Sequence, residues 1–226
     1  MSKKESLNPK NKDAAKEASP KSGIGKLSGR VFGIIKFILG ICLLPFVYSS
    51  TVSFLNEFAI IDKSSQNNFW AGLITLIVIY LFIWEPAVIY ANGQKILEAI
   101  FSFFKPLVRV APYLLPIYTL VLFAGYTVLS FATKSPRLVH YFLFLFGFSM
   151  GLHLIFGAKS LRTKQGDFLK ANYIFGFSFV YILNLALTAL ILNFIFDKFS
   201  VVNFLNNSFQ SARNIFGLVF RQLFLY

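Results

Sequence analysis

HYFLFLFGFSMGLHLIFGAKSLRTKQGDFLKANYIFGFSFVYILNLALTALILNFIF, residues His140 to Phe196, decides the fold. Two apolar runs, Leu138–Ala158 and Ala171–Phe196, flank a loop carrying Lys159, Arg162, Lys164 and Lys170 against one acid, Asp167. Each run has about 20 residues or more, which at about 1.5 Å per residue crosses a hydrocarbon layer of about 30 Å. Loops rich in Lys and Arg stay on the cytoplasmic side, so the pair reads as a transmembrane hairpin with a cytoplasmic turn.

Composition agrees. The chain is 56% hydrophobic and only 14% charged, against about 25% charged in a soluble domain, and its mean hydropathy is +0.65. Its aromatic residues are mostly phenylalanine, 29 in all, as suits lipid-facing and helix-packing surfaces. A net charge of +13 would suggest nucleic acid in a soluble protein. Here it fits inner loops facing anionic headgroups, so the expected partner is the bilayer and no nucleic acid. Cys42 is the one cysteine, which excludes an intramolecular disulfide and a cysteine-based zinc site. The first apolar segment follows Arg30 and lacks an A-x-A-like end, so no cleaved signal peptide is expected.

Residues 1–30 are polar, with eight basic side chains against three acids. They read as a disordered basic tail whose charge keeps the N-terminus cytoplasmic. The bundle is expected over 31–198, with spans near 31–55, 69–90, 110–133, 138–158 and 171–196. Between the second and third, residues 93–109 alternate apolar and charged positions at helical spacing, the pattern of a helix lying on the cytoplasmic surface. Residues 199–226 repeat that pattern: Asn203, Asn206, Asn207, Gln210, Asn214 and Arg221 make a polar stripe opposite Leu205, Phe209 and Phe220. This C-terminal helix is expected on the outer leaflet, or else dipping into the membrane beside a water path. The fold class is thus an all-α integral membrane protein, a polytopic bundle of about five transmembrane helices plus two amphipathic interfacial helices. A bacterial plasma membrane is its expected location.

Ionisable groups inside a membrane are costly and point to function. Lys36, Glu85 and His153 each fall five or six residues from the cytoplasmic end of a span, and Ser178 lies at a similar depth. One reading is a polar site in which Glu85 pairs with His153 or Lys36. The alternative has Lys36 snorkelling to headgroups, Glu85 at a helix end terminated by Pro86, and His153 packed against a neighbouring hydroxyl. For packing, Gly147 and Gly151 form a GxxxG pair, while Ser149 with His153, and Ser178, Tyr181, Asn184 and Thr188, make polar stripes on the last two spans. Antiparallel pairing of those spans predicts His153 near Ser178 and Ser149 near Tyr181.

His140 and His153 are thirteen residues apart with no acid between them, and HExxH, GxSxG, P-loop and Cys/His motifs are absent. No metal or cofactor site is predicted. The expected function is a non-catalytic multi-pass subunit or scaffold of a larger membrane assembly, with a protein partner or a homo-oligomer. The alternatives are a small transporter or channel component using Glu85, His153 and Lys36, and a membrane-embedded enzyme.

Overall fold

The computed structural model describes residues 23–133, 135, 137–163 and 173–224. Among them it has no strand and eight helices: α1 (Gly23–Phe58), α2 (Lys63–Phe82), α3 (Ala87–Ile100), α4 (Lys105–Leu114), α5 (Ile117–Ala132), α6 (Arg137–Thr163), α7 (Tyr173–Ile195) and α8 (Val201–Phe224). The chain divides after Ile35 into two compact units, and the second, from Lys36 onward, holds the helical bundle.

Four helices are long and apolar enough to cross a membrane: Val31–Phe58, Lys63–Phe82, Arg137–Arg162 and Tyr173–Ile195. Their outward faces are apolar, with Ile38, Leu44, Ile74, Val78, Leu81, Leu145 and Leu190 all exposed, as membrane residence requires. The third expected span, 110–133, is divided. Leu115 is extended (ψ 120°) and Pro116 follows, so α4 stops at Leu114 and only the short apolar helix Ile117–Ala132 remains. Proline has no N–H to give and pushes the residue before it out of helical geometry.

The same rule moves the second span. The expected 69–90 becomes Lys63–Phe82, because Ile83–Pro86 breaks the helix ahead of α3. At its other end α2 starts earlier than hydropathy suggests, since the Asp62 carboxylate accepts from the Ser65 N–H at 2.8 Å as an N-cap. The surface helix expected at 93–109 becomes α3 and α4, joined by a turn at Phe101–Phe104. α1 begins at Gly23, inside the segment read as tail; residues 1–22 and the loop residues Lys164, Asp167 and Lys170 lie outside the described residues.

That cap gives a first test. The Ser65 N–H, ahead of lesser causes, holds the Asp62 carboxyl below the ordinary aspartate range. A lowered folded pKa contributes stability above the unfolded value, lost as pH falls through the folded one. Asp62→Ala should therefore cost roughly 1 kcal/mol near neutral pH and nothing once both forms are protonated, read from thermal unfolding at each pH.

Contacts fix the direction of each helix. α2 and α6 run parallel, since Asn68 meets His140 near their starts and Tyr80 meets Phe156 near their ends. α5 is antiparallel to α6, with Tyr126 on Phe142 and Thr119 on Ser149. α7 is parallel to α5, as Asn184 reaches Leu114 and Phe123 meets Phe194. In α1, Gly40 lies against the Phe175 backbone and Thr51 bonds Tyr181, so α1 runs parallel to α7. The end at which α2 and α6 finish is called basal here, the other apical. The main core is apical and aromatic: Phe54, Phe58, Phe69, Phe142, Phe146, Phe199 and Phe204 are all buried there. A smaller basal cluster holds Leu76, Tyr90, Leu152 and Phe156.

α8 turns back. Phe204 packs on Phe54 with ring centroids 6.3 Å apart, and Phe216 on Phe46 at 5.8 Å. The helix therefore descends antiparallel to α1 instead of lying across the apical end. Its packed seam is Phe204, Ser208 and Ala212, spaced one turn apart.

Candidate functional site

The polar side chains expected to meet are distributed differently. Glu85 stands in the α2–α3 corner, half exposed, and ion-pairs with Lys159 of α6; Lys159 also lies over the Tyr80 and Phe156 rings. The carboxylate is drawn to the nearest cation at the basal end of α6, so its pairing with His153 or Lys36 does not form. Lys36 is buried on α1 at 3% exposure, one turn below Gly40, where a Cβ would lie 3.0 Å from the Phe175 backbone nitrogen.

The stripes on α6 and α7 do not bond each other either: α4 and α5 supply partners for Ser149, His153 and Asn184, and α1 supplies one for Tyr181. Thr119 Oγ1 and Ser149 Oγ are 2.8 Å apart, and Ser149 also donates to the Phe146 carbonyl. Tyr181 hydrogen-bonds Thr51 of α1 at 2.9 Å. Thr188 donates to the Asn184 carbonyl within its own helix. Ser178 is buried on α7.

What organises His153 and Asn184 is the α4–α5 break. In an unbroken helix the Ile117 and Tyr118 N–H groups would bond the Tyr113 and Leu114 carbonyls. The extended Leu115 removes those donors. Two side chains replace them: His153 Nε2 lies 3.1 Å from the Tyr113 carbonyl, and Asn184 Nδ2 lies 3.2 Å from the Leu114 carbonyl and 2.9 Å from that of Val180. Both residues are buried, His153 at 5% and Asn184 at 0%. A carbonyl only accepts, so Nε2 carries a proton, and in the neutral imidazole Nδ1 is then the bare acceptor.

Beside the break is a notch lined by Tyr90 and Gln94 of α3, Pro112, Pro116 and Tyr118, and Ser149 and His153 of α6. Tyr90 stacks between Phe156 and His153, with centroids 5.7 and 6.0 Å away. Its hydroxyl and the Gln94 Nε2 lie beside each other, both buried and neither in full hydrogen-bond geometry. α3 is held over this place by close approach: a Cβ on Gly93 would lie 2.8 Å from Ile117 and Tyr118 side-chain atoms, and the Tyr118 hydroxyl donates to the Ile89 carbonyl at 2.6 Å.

Gly147 and Gly151 face α2. A Cβ on Gly147 would lie 2.1 Å from the Phe69 carbonyl oxygen, and one on Gly72 only 1.9 Å from that of Phe144. Among the described residues, no three of His, Cys, Asp and Glu could together hold a metal ion. Tyr90, Gln94, Thr119 and the Tyr113 carbonyl were not signalled by any motif; a helical wheel of 87–100 would have put Tyr90, Gly93 and Leu97 on one face.

No family model, no curated protein and no solved structure matches this chain.

Proposed function

We propose that this chain is a five-span, non-catalytic membrane protein of a bacterial plasma membrane, with its basal end cytoplasmic, and that it works as a subunit of a larger membrane assembly. α5 is the short fifth span in this reading. The alternating helix directions support it, since α1, α5 and α7 ascend while α2 and α6 descend.

One observation carries the subunit role: α8 descends beside α1 with its polar stripe uncovered. Asn203, Asn206, Asn207, Gln210, Arg213 and Asn214 are exposed. Phe216 meets Phe46, near the middle of the apolar segment Val31–Phe58. At that depth an arginine facing acyl chains costs about 2.5–3.5 kcal/mol on insertion scales, and amides there seek partners on a neighbouring helix. A protein partner that meets the stripe removes this cost. The transport alternative is weakened, because Glu85 is held by Lys159 at the basal corner, away from His153.

The test is native mass spectrometry after mild extraction, with N206L/Q210L/N214L as the probe. The wild-type chain should carry a stoichiometric partner subunit, and the variant should lose it while retaining its helical circular dichroism. A wild-type monomer in lipid nanodiscs, with its α8 stripe reactive to water-soluble reagents, would favour a water path and overturn the subunit reading.

A further inference from the structure

The notch at the α4–α5 break has the composition of a binding site. Two buried polar atoms point to a guest, the Tyr90 hydroxyl and Gln94 Nε2, and His153, which lines the same notch, gives its Nε2 proton to the Tyr113 carbonyl. Tyr90 itself is 8% exposed. A buried polar atom left unbonded is costly, so evolved interiors almost always give it a partner. The notch adds the exposed start of a helix, since the first N–H groups of α5 have no intrahelical acceptor.

We propose that this notch binds one small neutral molecule that both donates and accepts hydrogen bonds, with water as its ordinary occupant. The room inside suits a single water-sized guest, and two to four polar partners are what such a guest needs. The atoms match in sense as well as number. The guest donates to His153 Nδ1, accepts from Gln94 Nε2, and closes on the Tyr90 hydroxyl, which can take either role. Burial raises the Tyr90 phenol above its ordinary range, so it stays neutral and keeps its proton to give. No carboxylate lines the notch, so nothing there would compensate a bound cation. Towards the apical end the Thr119–Ser149 pair and then the packed Phe142 and Phe146 rings close the route. The guest therefore exchanges from the basal side, between α3 and the break, and links His153 to solvent without opening a path through the bundle.

This assignment is independent of the subunit role and is tested without it. The chain has two histidines, so His140→Gln leaves His153 as the sole imidazole signal in a 15N-histidine spectrum of the full chain in nanodiscs. The expected result is the Nε2–H tautomer with a hydrogen-bonded Nδ1, and magnetisation transfer from water to the ring. Gln94→Leu should abolish that transfer and move the Nδ1 shift towards that of an unbonded acceptor; Tyr90→Phe should move it in the same direction. If His140→Gln misfolds, the wild-type chain serves, with Asn68→Ala used to identify the His140 signal by its lost contact. A ring that receives no transfer from water in the wild-type chain, or an Nδ1–H tautomer, would overturn the proposal.

Discussion

Gly147→Ala should force α2 and α6 apart and cost about 2–3 kcal/mol, the upper part of the range for overpacking a filled interior. The reason is what the new methyl meets. At Gly147 it would lie 2.1 Å from the Phe69 carbonyl oxygen and 3.0 Å from that carbonyl carbon. Backbone cannot step aside as a side chain does, so relief requires the two helices to separate along the seam. Such a shift loosens Leu76, Leu143 and Phe146, all fully buried, and dispersion falls steeply with gaps below 1 Å. Gly72→Ala, whose methyl would lie 1.9 Å from the Phe144 oxygen, should cost as much. Because both relax through the same separation, the double variant should cost less than the sum. Gly151→Ala meets side chains alone, the Leu76 Cδ2 at 2.8 Å and the Leu73 Cγ at 3.7 Å, and Gly125→Ala meets nothing within 4 Å. The former should cost roughly 1 kcal/mol, and the latter should be neutral or slightly stabilising through helix propensity. Reversible unfolding in mixed micelles, followed by Trp70 on α2, ranks the four. A Gly147→Ala cost no larger than that of Gly125→Ala would show that the close approach is not needed.

Which parts of this arrangement the chain displays in one dimension follows from what each contact is made of. Apolar runs depend only on composition, so the cores of α1, α6 and α7 are visible as long hydrophobic segments. The helix breaks were half visible: Pro86 and Pro116 mark them, yet hydropathy alone runs across both, and the spans 69–90 and 110–133 followed hydropathy. The start of α2 was obscured by the opposite fault, since SSQNN reads as loop although Asp62 stands ready to cap it. The GxxxG face of α6 has a sequence signature, while its counterpart is the lone Gly72, which has none. Hydropathy sets Glu85 inside the span 69–90, whereas α2 ends at Phe82 and leaves Glu85 in the corner beyond it; its partner Lys159 is 74 residues away and belongs to a loop by charge pattern but to α6 in the structure. His153 and Asn184 had no readable partner at all: each bonds a main-chain carbonyl freed by a break, and a carbonyl has no letter.

Asn184→Leu keeps most of the side-chain volume but removes the donor to the Leu114 carbonyl, and His153→Leu does the same to Tyr113. Leaving a buried acceptor unsatisfied costs about 1–3 kcal/mol, whereas single interhelical bonds in membranes average about 0.6 kcal/mol. The larger figure applies, because in the extended stretch at Leu115 no nearby N–H can take over. Each variant should lose about 2 kcal/mol. Once one carbonyl is released the last turn of α4 frays, so the double variant should lose about 3 kcal/mol, less than the sum. The decisive background is Pro116→Ala. Without the proline, α4 and α5 are free to join, and the Ile117 and Tyr118 N–H groups regain the Tyr113 and Leu114 carbonyls as i−4 acceptors. In that background Asn184→Leu should cost well under 1 kcal/mol, because the carbonyl it abandons is satisfied by the helix itself. If Asn184→Leu costs the same with and without the proline, its contribution comes from packing on α7, and the break is held by something other than His153 and Asn184.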